Sequence, residues 1–469
     1  MWLSAARPLN VPFSIRRSLF PLLTGTIAFA VYLATLATDL TWAFQATDGP
    51  ELMTAAMTLG VPHPPGYPTY VLLGHLFGGL PLGSIPFRFS LFSALSAGVA
   101  VVFLTAAARH MRRPEQAVPG VGAVAAVLTF ALLAPVWQQA IVPEVYALNL
   151  AVVAALLWAT VSRQPTPVAG LLFGLAMTTH GTSLLLLPLV LSQTPWRQWL
   201  RLAAAALLGM APFLALPLLA GHGSPLVWGQ PQRLDGWWWL VTAELYRPNL
   251  FALAPAEAAA RLGQWLRTAQ LALPALGLVA SLSLLRRQTE RKDGRLTMAL
   301  ALTALLYLLF AAFYRTIDGA VLLLPGLACA ALLLLPLFHR LGPAGLSLPL
   351  LLLLLNFNQL NLHDDRSARA LAESVLVEAP PEAILLTEGD ATTFTLWYLR
   401  EVERQRPDLV VVDRNLFGFA WYRQQLADRH SWMPIIAQYD LEALTRLGRP
   451  ICEVQFDGGL AVIDCGHGV

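Results

Sequence analysis

Two carboxylates and a proline-rich histidine turn follow the first long apolar segment of the chain. Residues 48–51 read DGPE and residues 63–68 read HPPGYP. Carboxylates beside lipid are costly and are found mainly where they meet water, a partner or a substrate. A carboxylate placed there can accept a proton from an acceptor hydroxyl. General-base chemistry by Asp48 or Glu51 is therefore the first hypothesis.

The same two motifs also have a purely structural interpretation. Residues 50–59 are typical of a helix, for which Asp48 would be the N-cap and Glu51 would complete a capping box. Three prolines and a glycine make the next turn rigid. Such a turn either shapes the loop around a hydrogen-bonded His63 or holds His63 and Tyr67 as one wall of an active site.

Further candidates for substrate or phosphate binding lie in other loops. Guanidinium groups match phosphate with paired donors, which favours Arg88 and Arg315, although each could equally be a snorkelling side chain or half of an ion pair. His180 interrupts an apolar segment and is either a ligand contact or a satisfied core histidine. The remaining candidates are polar or aromatic residues on the same side of the membrane: Glu144, Tyr146, Trp228 and Asp318.

Tryptophans from Trp228 to Trp239 make the loop that contains them aromatic. An interfacial aromatic belt explains this composition. Stacking on a sugar or a lipid is the alternative.

The elements that must position these residues are membrane helices. The chain has 469 residues, of which 56% are hydrophobic and 13% charged, and its mean hydropathy is +0.58. Soluble domains carry about 25% charged residues. The net charge of +3 is confined to short loops and speaks against a nucleic-acid partner. The composition predicts a polytopic α-helical membrane protein whose first span is not a cleaved signal.

Apolar stretches of about 20 residues mark the spans. Segment 167–192 is interrupted and predicts two short helices, and segment 67–83 is predicted to lie on the outer bilayer surface. Arginine clusters favour the cytoplasmic side, and they fit about eleven spans with the N-terminus inside. The predicted spans are 19–38, 88–108, 120–138, 145–162, 199–220, 270–286, 296–313, 319–338 and 343–361. The clusters include Arg7, Arg16, Arg17, Arg109, Arg112, Arg113, Arg163, Arg197, Arg201, Arg286, Arg287, Arg291, Lys292, Arg295 and Arg340.

The composition changes at residue 363, which divides the chain into a transmembrane domain, 1–362, with an external loop at 39–87, and a small domain, 363–469. Strands at 383–387 and 409–412 around a helix at 392–405 predict an α/β domain outside the cytoplasm. Cys452 and Cys465 lie in it, either as a disulfide or as two thiols. The spacing of Cys and His predicts no metal site.

Several of these motifs resemble one family. Residues 47–52 and 59–68, together with 88–93 (RFSLFS), are similar to polytopic bacterial proteins long known as a domain of unknown function, whose animal member is a protein O-mannosyltransferase of the endoplasmic reticulum. Residues 144–149, 228–231 and 386–399 and the Asp318 region resemble the same family. The family usually has Asp-Ser-Gly-Glu where this chain has DGPE, so both acids are kept but the turn can differ.

The resemblance implies a GT-C glycosyltransferase in the bacterial cytoplasmic membrane. Such enzymes take a sugar from a polyprenyl phosphate and invert its anomeric carbon, and the animal member makes mannose a candidate for that sugar. Asp48 would be the base, with Glu51 as alternative or helper, and Arg315, with Arg88, would stabilise the departing phosphate. The partners would be the lipid-linked sugar and a protein or glycan acceptor. No cofactor is implied, although a divalent metal is not excluded.

Three alternatives stay open from the sequence. A transporter would explain the many spans and the interrupted segment, but transporters often show paired interruptions in two halves. A transferase that modifies an envelope lipid or glycan has the same sequence features as one that modifies Ser or Thr. A membrane-tethered binding module would place the function in 363–469.

Overall fold

The computed structural model describes residues 13–111, 120–267, 294–457 and 460–466. The predicted span 270–286, the basic residues of 286–292, and Arg7, Arg112 and Arg113 lie outside these residues, as do the side chains of Arg16 and Arg17. The helices of the first part are α1 (Phe13–Thr35), α2 (Gly49–Thr58), α3 (Pro68–Gly78), α4 (Ile85–His110), α5 (Val121–Ala131), α6 (Ala134–Ala140) and α7 (Val145–Val161).

The following helices continue the bundle. They are α8 (Thr166–Thr179), α9 (Leu187–Gln193), α10 (Trp199–Gly209), α11 (Leu216–Ala220), α12 (Leu234–Val241), α13 (Pro255–Arg267), α14 (Gly294–Phe313), α15 (Leu324–Leu333), α16 (Leu335–Leu341) and α17 (Ser347–Asn356). Segment 167–192 is divided at His180, as predicted, because α8 ends at Thr179 and a short 3₁₀ helix, Gly181–Leu186, leads into α9.

Four helical segments of the described chain are long and apolar enough to cross a membrane: Ile85–His110, Trp196–Ala220, Gly294–Phe313 and Leu335–Asn356. Helices α5 and α6 qualify as a pair that bends by 70°. Shorter apolar helices are Leu19–Thr35, Val145–Val161, Thr166–Thr179, Gly181–Gln193 and Val321–Leu333. The helices follow the predicted apolar segments, while the number of about eleven spans stays a prediction.

Small residues let neighbouring helices approach closely, as is common in membrane bundles. A Cβ atom added at Gly174 of α8 would lie 1.9 Å from the carbonyl oxygen of Ala206 in α10. Buried aromatic residues add hydrogen bonds within the largely aliphatic core. Tyr32 donates a hydrogen bond to the carbonyl of Ala131, and Trp137 donates to the Thr35 hydroxyl.

Residues 363–466 form the predicted α/β arrangement. Its elements are α18 (Ser367–Glu378), β1 (Ile384–Thr387), α19 (Asp390–Glu401), β2 (Val410–Asp413), α20 (Ala420–Arg429), α21 (Glu442–Thr445), β3 (Ile451–Asp457) and β4 (Leu460–Gly466). The strand order is β2-β1-β3-β4, in which β4 runs antiparallel to β3 and the other neighbours are parallel. Cys452 and Cys465 face each other across β3 and β4 and form a disulfide.

The C-terminal unit contacts the segment between α1 and α2. Arg369 donates to Asp39 at 2.6 Å and, through two nitrogens, to Glu403 at 2.6 and 2.8 Å. The Trp42 indole donates to the Thr395 hydroxyl at 2.9 Å. Buried residues of α2 and of α19 belong to the same hydrophobic core. The two parts therefore position the start of α2 together.

Candidate active site

Asp48 and Glu51 occupy different environments although they lie one helical turn apart. The Asp48 carboxylate makes no capping hydrogen bond to α2, and 32% of the side chain is exposed. Glu51 is fully buried. Its Oε1 accepts from the backbone N–H of His63 at 3.1 Å, and its Oε2 lies 2.5 Å from His63 Nδ1. The capping-box interpretation is wrong, because both carboxylates turn toward the histidine turn.

His63 lies between these two carboxylates. Its Nε2 is 3.7 Å from Asp48 Oδ2, opposite the nitrogen that meets Glu51. Aromatic rings surround the imidazole, with ring centroids at 5.1 Å for Tyr67, 6.1 Å for Trp228 and 6.2 Å for Tyr246. The rigid turn thus forms a wall of the site, and it fixes His63 against α2.

The aromatic wall continues from Tyr67 toward Asp318. The Tyr67 ring stacks on His180 at 6.2 Å, and His180 lies 5.4 Å from the Tyr146 ring. The Tyr146 hydroxyl donates to Asp318 at 3.3 Å. His180 Nδ1 accepts a hydrogen bond from the Thr182 backbone N–H and also contacts the Thr182 hydroxyl. His180 therefore presents its ring, rather than Nδ1, to the site.

Glu144 adds a buried carboxyl group beside the start of α2. It precedes α7 and is 3% exposed, and its Oε1 has no hydrogen-bond partner among the described residues. Pro143 lies directly against Gly49, since a Cβ atom there would be 2.8 Å from Pro143 Cγ. The turn before α7 is thereby pressed against the loop that holds Asp48.

The carboxylate cluster consists of Asp48, Glu51, His63 and the side chains around them. Two of those side chains were not among the predicted site residues. Tyr246 contacts His63 from the loop after α12, and Asp390 begins α19 in the C-terminal unit. The charge of Asp390 influences both Asp48 and His63. The turn signal at residues 389–390 marks a helix start in the sequence, but no local pattern relates that turn to Asp48.

Burial and charge set the protonation states. Burial is the main cause that raises the pKa of Asp48 to about 7; the charge of His63 opposes this, and those of Asp390 and Glu51 add to it. Burial disfavours charged His63, but Glu51 and Asp48 outweigh it and raise the pKa of His63 to about 10. Burial, followed by the charge of Asp48, raises the pKa of Glu144 well above its usual range. At neutral pH these shifts favour a cationic His63 and place Asp48 close to its midpoint.

The two arginines that were predicted to meet phosphate have different surroundings. Arg88 donates from Nε to Leu82, from Nη1 to Gly78 and from Nη2 to Gly83, all to backbone carbonyls. Its fork is thus engaged in closing the turn after α3, and the phosphate-binding prediction for Arg88 is not supported. Arg315 is exposed and donates from Nη2 to the Ala252 carbonyl at 2.8 Å.

Trp228 does not belong to an interfacial belt. It is 6% exposed, its backbone pairs with Val61, and its ring lies 6.0 Å from Trp421 of α20. Trp228, Arg400 and Glu401 line a cavity of about 30 Å³. This space belongs to the contact with the C-terminal unit. Trp238 is 58% exposed and fits the belt interpretation.

Metal binding requires several ligand side chains that converge on one point. Within the ranges that the structure describes, no group of three or more His, Cys, Asp or Glu side chains has an arrangement that could hold a metal ion. The imidazole of His63 is engaged by carboxylates on both sides.

Two parts of the chain match known protein families. Residues 48–202 match the Protein O-mannosyl-transferase TMEM260 N-terminal domain, and residues 368–441 match the TMEM260-associated domain 2. The chain is thus similar in two separate parts to the domains of one protein family. The mouse Protein O-mannosyl-transferase TMEM260 is 26% identical over 87% of this chain. The chain spans 65% of the length of that mouse protein.

Solved structures with a similar fold are GT-C proteins. ArnT from Cupriavidus metallidurans bound to undecaprenyl phosphate superposes with a TM-score of 0.59 at 15% identity, covering 94% of this chain and 93% of ArnT. The archaeal oligosaccharyltransferase AglB from Archaeoglobus fulgidus, in complex with an inhibitory peptide and a dolichol-phosphate, gives a TM-score of 0.50 at 12% identity over 94% of this chain and 70% of that one. The chain therefore shares the fold of these solved structures.

Proposed function

We propose that this chain is a membrane glycosyltransferase that transfers a sugar from a polyprenyl phosphate to a hydroxyl acceptor. The observation that carries the proposal is the partly exposed Asp48 carboxylate, held beside the buried His63–Glu51 pair. The similar folds of ArnT and AglB support the lipid donor, because their structures contain undecaprenyl phosphate and dolichol-phosphate. Mannose is the first sugar to test, given the O-mannosyltransferase relative.

In the proposed reaction, Asp48 takes the proton of the acceptor hydroxyl. The oxygen attacks C1 of the sugar from the side opposite the phosphate, a new C1–O bond forms, and the bond from C1 to the phosphate oxygen breaks with its electron pair leaving on the phosphate. The anomeric configuration is inverted. Arg315 stabilises the charge that develops on the leaving lipid phosphate. Glu144 and Tyr146 line the sugar side of the site.

The protonation state of Asp48 sets the pH dependence of this reaction. A base must be deprotonated to accept a proton. Because the pKa of Asp48 is about 7, the rate is expected to rise as the pH increases through 7 and to be lost below it.

We place the site on the non-cytoplasmic face of a bacterial cytoplasmic membrane. The disulfide between Cys452 and Cys465 supports this side, since disulfides persist in oxidising compartments. The acceptor on that face is a protein Ser or Thr or an envelope glycan. The C-terminal unit contributes Asp390 to the cluster and thus forms part of the acceptor side.

The test is Asp48→Asn in membranes supplied with undecaprenyl-phosphate-[³H]mannose, following both labelled product and released lipid phosphate. Loss of the base is expected to lower the rate by at least about 100-fold. Asp235→Asn is the matched control, because Asp235 is 74% exposed and pairs with Arg233 in the outer loop. Activity of the Asp48 variant within a few-fold of the parent would remove this residue from the proposed role.

A further inference from the structure

Glu51 is placed to hold His63 and cannot reach an acceptor. The side chain is fully buried, and both oxygens are engaged by one residue, Oε1 by the His63 backbone N–H at 3.1 Å and Oε2 by the ring Nδ1 at 2.5 Å. A carboxylate that forms hydrogen bonds with both the backbone and the ring of one histidine fixes the position and the orientation of its imidazole.

The other ring nitrogen of His63 is directed toward Asp48. Nε2 lies 3.7 Å from Asp48 Oδ2, a distance at which a cation strongly influences the carboxylate. The rings of Tyr67, Trp228 and Tyr246 pack around the imidazole on its remaining sides. These contacts leave the ring little room to turn away from the pair of carboxylates.

Asp48 needs such a cation because its other charged neighbours are acidic. His63 lowers the proton affinity of Asp48, whereas burial and nearby carboxylates raise it. The titratable groups that surround this histidine and Asp48 are Glu51, Asp390, Asp318, Glu144, Tyr67, Tyr146, His180 and Tyr246. Without His63, the carboxylates and burial would act on Asp48 unopposed.

We propose that His63, kept as an imidazolium by Glu51, is a positioning residue that holds Asp48 ionised and aligned for proton abstraction. Glu51 acts through His63 and is not a second base. The inference rests on the proposed function. In the transfer step, Asp48 receives the acceptor proton, and His63 keeps its own proton throughout, so that no proton moves to Glu51. The imidazolium is a fixed charge beside the base.

The experiment measures the pH profile of kcat/KM for mannose transfer from undecaprenyl-phosphate-mannose in three variants. His63→Gln is expected to move the acid limb upward by about one to two pH units, since a unit charge near 4 Å is removed from a partly exposed carboxylate. Glu51→Gln is expected to shift the limb in the same direction but by less. Neutral glutamine no longer keeps the imidazole charged, whereas loss of the Glu51 charge itself lowers the pKa of Asp48 and offsets part of the shift. The double variant is expected to shift it no further than His63→Gln alone.

His75→Gln is the matched control. His75 lies on α3, with Nδ1 2.9 Å from the Ala56 carbonyl oxygen of α2, and faces no carboxylate of the cluster. Its acid limb is expected to stay at the parent position. Gel filtration in detergent checks that each variant is folded, and if His63→Gln aggregates, the Glu51→Gln profile decides alone.

Two results separate the inference from the function on which it rests. An unchanged or lowered acid limb in a folded His63→Gln or Glu51→Gln variant, with Asp48→Asn inactive, overturns the positioning role and leaves the base assignment intact. Additive shifts in the double variant also overturn it. If Glu51 acts on Asp48 through His63, removing Glu51 has no further upward effect once His63 is gone. Full activity of Asp48→Asn overturns both.

Discussion

Replacing Gly49 by alanine adds one methyl group where the start of α2 contacts Pro143 in the turn before α7. The new Cβ would lie 2.8 Å from Pro143 Cγ and 2.9 Å from the Pro143 carbonyl oxygen, so the two loops must separate by about 0.5 Å to reach ordinary contact. Alanine favours a helix over glycine by about 0.5–1 kcal/mol. Overpacking against backbone costs about 1–3 kcal/mol. The overlap outweighs the helix preference, and a net loss of about 1 kcal/mol is expected.

The expected functional effect is larger than the loss of stability. A displacement of about 1 Å at a reacting group can lower a rate by about 100-fold, so half of that displacement is expected to lower kcat/KM about tenfold. The assay is mannose transfer together with thermal unfolding in detergent. Gly79→Ala is the control, because the nearest atoms to its added Cβ are 3.6 Å away. A Gly49→Ala variant with parental rate and unfolding temperature would refute the contact and the alignment that it provides.

Further predictions concern the arginines and the disulfide. Arg315→Ala is expected to lower the transfer rate by about tenfold or more, because a charge at the leaving phosphate is lost. Arg88→Ala is expected to lower the unfolding temperature with little effect on the transfer rate or on the KM for the lipid donor, because its hydrogen bonds hold a turn. Equal effects of both variants on the transfer rate would contradict the different assignments. Cys452→Ser is expected to destabilise the C-terminal unit by about 3 kcal/mol, because the bond closes a short loop to Cys465; unchanged protease resistance of that unit would contradict this.

Local patterns in the sequence predicted much of the fold. Residues 50–59 were expected to be a helix, and α2 spans Gly49–Thr58. The strands expected at 383–387 and 409–412 are β1 and β2, and they pair in parallel. These elements could be predicted because helix caps, apolar periodicity and short buried runs are properties of neighbouring residues. The final hairpin of β3 and β4 was not predicted, although exposure alternates along β4.

Contacts between distant segments could not be obtained from such patterns. Arg88 has the residue type of a phosphate ligand, yet its donors are used by the turn after α3. Tyr246 and Asp390 carry no motif that relates them to the histidine turn. The partners of a side chain depend on how loops and helices pack, and several packings are compatible with one local pattern.

The sequence by itself determined that this is a membrane chain with two acidic residues and a rigid histidine turn beside its first span, because composition and proline-fixed backbone act locally. Only the tertiary structure decided which acid is accessible. Packing of α2 on α19 and of the turn on α2 buries Glu51 against His63 and leaves Asp48 partly exposed. Burial and ion pairing change the free energy of ionisation. The two carboxylates therefore differ in exposure and in hydrogen-bond partners although they lie three residues apart.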